Sequence, residues 1–179
     1  MVVGLDRFKE HFAEYKDRYV LIGGAACDLV MDEAGLPFRA TKDLDIILCM
    51  EALDRDFAEA FWEFVKQGQY RIREKAEGSR EFYRFSNPQV EGFPFMLELF
   101  SRIPDVINIA EGSQLTPIPT DETVSSLSAI VLDEAYYTWV MSGRIELEGI
   151  SIVGAEYLVP LKMLAWLNLR ASKAAGEII

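Results

Sequence analysis

Residues 43–48 read D-L-D-I-I-L, two carboxylates set two positions apart at the head of an apolar run. As a strand, such a run sends successive side chains to opposite faces, so Asp43 and Asp45 share one face while Leu44 and Ile46 share the other. Like charges held that close beside a buried strand are costly unless a cation answers them. The demand constrains the fold, because another element has to bring a cation, or a ligand that carries one, to the start of this strand. Upstream, Y-V-L-I-G-G-A-A-C-D (residues 19–28) reads as a strand running into a glycine pair and then a helix. Glycines at that junction let a ligand approach the backbone, and the free N–H groups of a helix start attract phosphate. If Asp43 is to meet the Gly23-Gly24 turn, the two strands must run antiparallel.

A third stretch, F-M-L-E-L-F (residues 95–100), reads as a buried strand interrupted by Glu98, which alternation places on a face with Met96 and Phe100. Three carboxylates on two core strands beside a glycine-rich helix entrance make a donor set of the kind magnesium takes, completed by substrate phosphates and water. A pair of such ions activates an attacking hydroxyl and stabilises a leaving pyrophosphate. Strand, glycines, helix and an acid about twenty residues on also describe a Rossmann dinucleotide site. The glycines here read G-G-A-A-C-D without the G-x-G-x-x-G spacing, and the acids head their strand instead of ending it.

Along the remaining chain, helices are expected at about Asp6 to Tyr15, Ala25 to Ala34 and, with apolar positions Phe57, Ala60, Phe61, Phe64 and Val65, up to Gly68. Strands are expected at Tyr70 to Glu74, Glu81 to Ser86 and Phe95 to Ser101. The texture shifts after Pro117 and Pro119, through a strand near Ala129 to Leu132, the stretch Glu134 to Met141, a hairpin-like segment around Gly149 and a closing helix with Pro160 in its first turn. This is an α/β (α+β) chain, a mixed β-sheet flanked by helices. Residues 1–119 form the core, and residues 120–179 a smaller, mainly helical part packed on it or continuous with it as a single domain.

A net charge of −11 argues against a surface broadly adapted to nucleic acid. Arg71, Arg73 and Lys75 alternate along one strand with Arg84 behind them, which reads equally as a phosphate-binding stripe or as a solvated edge strand. Cys27 and Cys49 have no second cysteine at ligand spacing and read as reduced thiols. Trp62, Trp139 and Trp166 fit helix packing better than base stacking. With no signal-peptide pattern and no apolar run of membrane-spanning length, a cytoplasmic location and no membrane partner are expected.

Taken together, Y-V-L-I-G-G-A-A, F-R-A-T-K-D-L-D-I-I-L, F-M-L-E-L-F and the late L-V-P-L-K-M-L-A-W-L resemble the nucleotidyltransferase superfamily, specifically its AbiEii-type bacterial toxin branch. The resemblance touches positions from about 19 to 170. It implies a magnesium- or manganese-dependent transfer of a nucleoside monophosphate from a nucleoside triphosphate to a hydroxyl of transfer RNA or a protein. It also implies a toxin of a toxin-antitoxin pair, with an antitoxin protein as partner. By the same resemblance Asp43 and Asp45 are catalytic metal ligands, and Glu98 is the third carboxylate, assisting the attacking hydroxyl. Gly23, Gly24, Thr41 and Lys42 hold the nucleotide, with Lys162 reaching the triphosphate. Gly24 stands where many members carry serine, which keeps a catalytically inactive nucleotide-binding module on the same fold as the alternative.

Overall fold

The computed structural model describes residues 2–39, 41–74, 80–104, 115–118 and 127–175. Within them a nine-stranded mixed sheet is flanked by helices. β1 (Tyr19–Ile22) leads into α2 (Gly23–Glu33), after α1 (Leu5–His11) and a 3-10 segment (Ala13–Arg18). β2 (Asp43–Leu48), α3 (Arg55–Gly68), β3 (Arg71–Glu74), β4 (Arg80–Ser86) and β5 (Met96–Ser101) follow. The chain continues with β6 (Leu115–Ile118), β7 (Leu127–Val131), α4 (Glu134–Ser142), β8 (Arg144–Leu147), β9 (Ile150–Val153) and α5 (Ala155–Ala175). The order across the sheet is β3-β4-β5-β2-β1-β9-β8, and β7 pairs with both β5 and β6.

β2 is the hinge of this arrangement. It runs antiparallel to β1, with Ile22 opposite Asp45, and parallel to β5, with Asp45 opposite Glu98. The antiparallel β1–β2 pair required by a meeting of the glycines and the aspartates is therefore present, and the parallel pair of a Rossmann unit is not. Residues after Pro119 join the same sheet. β7 lies parallel to the end of β5, and β9 lies parallel to β1. The β8–β9 hairpin turns at Glu148 and Gly149, both with positive φ, where the sequence reads as hairpin-like. Pro117 falls in β6, which among the described residues pairs with β7 alone, and an edge strand tolerates the missing N–H.

One face of the sheet carries Tyr19, Leu21, Leu44, Ile46, Leu97 and Leu99, all fully buried. An aromatic cluster from α1 and α3 packs there. Phe8 lies 5.2 Å from Tyr19 and 4.5 Å from Phe12 between ring centroids, and Phe12 reaches Phe57, Phe61 and Phe64. α3 is held at its start by Asp54, whose carboxylate accepts from Phe57 N at 2.9 Å, a side-chain cap on an otherwise orphaned donor. Gly68 is its last residue, while the left-handed position beyond is Gln69. Gly68 is small because a Cβ there would meet the rings of Tyr70 and Phe93. Among the described residues no helix is long and apolar enough to cross a membrane.

Candidate active site

The opposite face holds the polar residues. Arg84 of β4 stands opposite Glu98 of β5, Glu98 opposite Asp45 of β2, and Asp45 opposite Ile22 of β1, after which the chain turns at Gly23. Paired residues of neighbouring strands share a face, so this is one row across four strands. Gly23 has φ of 68°, and a Cβ built on it would overlap Asp45 Oδ2. Only glycine lets the backbone turn there against the carboxylate. α2 begins at the glycine pair itself, two residues earlier than its apolar pattern predicts.

Burial, with the nearby Glu98 and Asp43, pushes the Asp45 carboxyl up from 3.8 to about 6, against the opposing pull of Lys162 and Arg84. Desolvation disfavours the charged form, and two neighbouring carboxylates disfavour it further. Asp43, Asp45 and Glu98 are therefore electrostatically one cluster, and the charge of Lys162 of α5 acts on it. Glu98 is itself answered by Arg84, whose Nε donates to Oε1 at 2.5 Å and whose Nη2 donates to the same oxygen. Arginine thus supplies one cation that the acid pair demands. Among the described residues no three His, Cys, Asp or Glu side chains stand gathered as a metal cage. Magnesium commonly takes one or two carboxylates and completes its shell with phosphate oxygens and waters, so Asp43 and Asp45 fit it as donors, and Glu98 fits once it turns from Arg84.

The remaining expected residues divide. Thr41 lies against Gly24: a Cβ at Gly24 would sit 2.6 Å from Thr41 Oγ1. The space a serine at 24 would use is filled by the threonine hydroxyl. Lys42 goes elsewhere, lining a cavity with Val3 and the Asn87–Phe95 loop, while its carbonyl accepts from Phe95 N at 2.9 Å. Thr41 is thus placed at the glycine turn and Lys42 at this other cavity. Lys162 is two turns into α5 instead of in its first turn. The helix starts at Ala155, where Tyr157 and Leu158 N–H groups donate to the Gly154 carbonyl at 3.0 Å, leaving Pro160 inside it. The link of Lys162 to the site is electrostatic, through the downward pull of its charge on the Asp45 carboxyl. Lys75 lies outside the described residues.

Two contributors stand out only in three dimensions. Arg84 reads in sequence as one member of a basic strand, and only the register against β5 selects it. Tyr136 of α4 has its hydroxyl pushed up by burial and by the negative field of Asp45, so it is electrostatically coupled to the acid. α4 is oriented by Asp133, whose Oδ1 accepts from Ala135 N and Tyr136 N, and by Tyr137, whose hydroxyl donates to Glu51 at 2.8 Å. Beside Lys162, a cavity of about 350 Å³ opens between α2 and α5, lined by Cys27, Leu158, Lys162, Met163, Trp166 and Leu167 among others. Trp62 is buried in the core, whereas Trp166 is 54% exposed at this cavity.

Compared with protein families, curated proteins and solved structures, the chain matches none of them.

Proposed function

We propose that the chain is a divalent-metal-dependent nucleotidyltransferase, moving a nucleoside monophosphate from a nucleoside triphosphate to a hydroxyl acceptor. The observation that carries this reading is the cross-strand pair Asp45–Glu98, with Asp43 two residues away and the Gly23 backbone pressed against the Asp45 carboxylate. Asp43 and Asp45, with Glu98, would hold magnesium or manganese, and the ion would supply positive charge to neutralise the triphosphate and acidify the attacking hydroxyl. The N–H groups at the start of α2 and the ammonium of Lys162 bind phosphate oxygens. Thr41 Oγ1, at the place of a residue-24 side chain, offers them a hydroxyl donor. Glu98, released from Arg84, accepts the proton as the acceptor oxygen bonds to the α-phosphorus. The α–β bridging P–O bond breaks, and pyrophosphate leaves. A transfer RNA or protein acceptor, and a toxin role with an antitoxin partner, follow from the AbiEii-type resemblance of the sequence.

One observation favours a second reading, a nucleotide-binding module without catalysis: Glu98 is already bonded to Arg84. One experiment separates the two. Each labelled nucleoside triphosphate is incubated with the protein, magnesium or manganese, and an extract of total RNA and protein, with Asp45→Asn in parallel. Label entering a macromolecule with the wild type and not with Asp45→Asn supports transfer. Triphosphate binding of equal strength in chelator and in magnesium, with no labelled product, supports the binding module.

A further inference from the structure

α5 carries a cationic and aromatic ladder. Lys162, Trp166 and Arg170 follow one another at four-residue spacing, so they share one face about 6 Å apart along the axis. Arg170 lies over the indole, its Cζ 4.7 Å from the ring centroid. Val159, Met163, Trp166 and Leu167 are each more than half exposed, and together they wall the cavity whose floor is Cys27 and Leu158. Its volume lies within the range of small-molecule sites. Lys162 belongs to this cavity and to the field of Asp45 alike, so the apolar wall and the carboxylates meet at one side chain. A ligand whose phosphates lie by Asp45 and Lys162 brings its next rigid group, one sugar further on, to Trp166.

We propose that this cavity seats the base of a purine nucleoside triphosphate, stacked on Trp166, and that it ranks nucleotides by stacking area and not by hydrogen-bond pattern. The proposal rests on the nucleotide-binding reading of the carboxylate site. Charge selects this occupant over a second copy of the chain. In a protein of net charge −11, this face carries cations at 162 and 170, which attract an anionic nucleotide and repel each other across a symmetric self-contact. Among the described residues the polar side-chain groups of the lining are Cys27 Sγ, Lys162 Nζ and Trp166 Nε1, and none is an amide or carboxylate of the kind that reads the edge of a base. Stacking is tolerant of base identity, because every base has a π face.

Calorimetric titration in magnesium tests this, with ATP, GTP, CTP, UTP and inorganic tripolyphosphate on the wild type, Trp166→Ala, Trp166→Phe and Asp45→Asn. ATP and GTP are expected to bind within about threefold of each other and about tenfold or more tighter than tripolyphosphate, the scale of one base–aromatic stack. Trp166→Ala should remove most of that margin, Trp166→Phe should keep part of it, and Asp45→Asn should weaken all five ligands. Trp166 is exposed, so its replacement leaves the fold intact, as circular dichroism will verify. Equal binding of ATP and tripolyphosphate, or a margin unchanged in Trp166→Ala, overturns the base pocket and leaves the phosphate site standing. A strong preference between ATP and GTP overturns ranking by stacking. Failure of every ligand overturns the carboxylate reading along with it. Sedimentation showing that Trp166→Ala splits a dimer without touching the nucleotide margin assigns the face to self-association and likewise overturns the proposal.

Discussion

Replacing Asp45 by asparagine should make the folded protein more stable while disabling its site. The carboxyl ordinarily titrates at 3.8 and is held at about 6 in the folded chain. Below 3.8 both states carry the proton, and folding is not penalised. Between 3.8 and 6 the folded state keeps a proton that the unfolded chain releases, so stability falls as pH rises, and above 6 the deficit is complete. At 1.36 kcal/mol per pH unit, the deficit is about 3 kcal/mol. Asparagine removes the charge but leaves an amide to be satisfied, so the net gain at neutral pH should be about 1–3 kcal/mol. At about 2–4 °C per kcal/mol, Tm should rise by roughly 2–12 °C. Urea and thermal unfolding of both proteins in chelator, from about pH 4 to about pH 8, measure this directly. The gap should be small at the acid end and should open through the interval between 3.8 and 6. Millimolar magnesium should narrow it by stabilising only the wild type. A variant no more stable than the wild type at neutral pH, or a gap indifferent to pH, refutes the claim that Asp45 is held in a desolvated, like-charged cluster.

Three other outcomes follow from the packing. Phe12 is fully buried among the rings of Phe8, Phe57 and Phe64, so Phe12→Ala should cost about 3–5 kcal/mol in urea unfolding. Gly23→Ala should cost more than Gly35→Ala: both have positive φ, with a strain of about 1–2 kcal/mol, but only at Gly23 does the new Cβ overlap Asp45, while nothing lies within 4 Å at Gly35. Parallel denaturation curves rank them, and equal losses contradict the contact. Arg84→Met strands the buried Glu98 without its cation and should cost about 1–3 kcal/mol at neutral pH, a loss that Glu98→Gln in the same chain should largely restore in a double-mutant cycle.

The row across the sheet was partly legible in the residues alone. Alternation places Asp43 with Asp45, and the expected meeting of Asp43 with the glycine turn asks for the antiparallel β1–β2 pair that is present, although it is Asp45 that lies against Gly23. Glu98 announces itself as one carboxylate in an apolar strand. Register is what no local pattern supplies: Arg71, Arg73 and Arg84 look alike until the pairing of β4 with β5 puts Arg84 on Glu98. Tyr136 lies nearly a hundred positions from Asp45, beyond any spacing argument. Lys42 stands beside Thr41 in sequence, yet it lines a cavity with Val3 and residues 87–95, a placement that no local pattern announces. Pro160 misleads because proline favours a helix's first turn, whereas here Gly154 opens the helix and the proline is carried inside it.

The place of β9 has a consequence for how the chain is made. β1 is buried along its whole length between β2 and β9, yet β9 is synthesised about 130 residues later. At 5–20 residues per second, the outer edge of an apolar strand waits roughly 6–25 s on the ribosome for its partner. An unpaired edge of that kind invites pairing with other chains. Lys162 and Tyr136 come later than the carboxylates as well, so the nascent protein carries its acidic half without the cation and the aromatic wall that complete the cleft. Newly made copies therefore pass through an interval in which the β1 edge is open to other chains, and slower synthesis lengthens it.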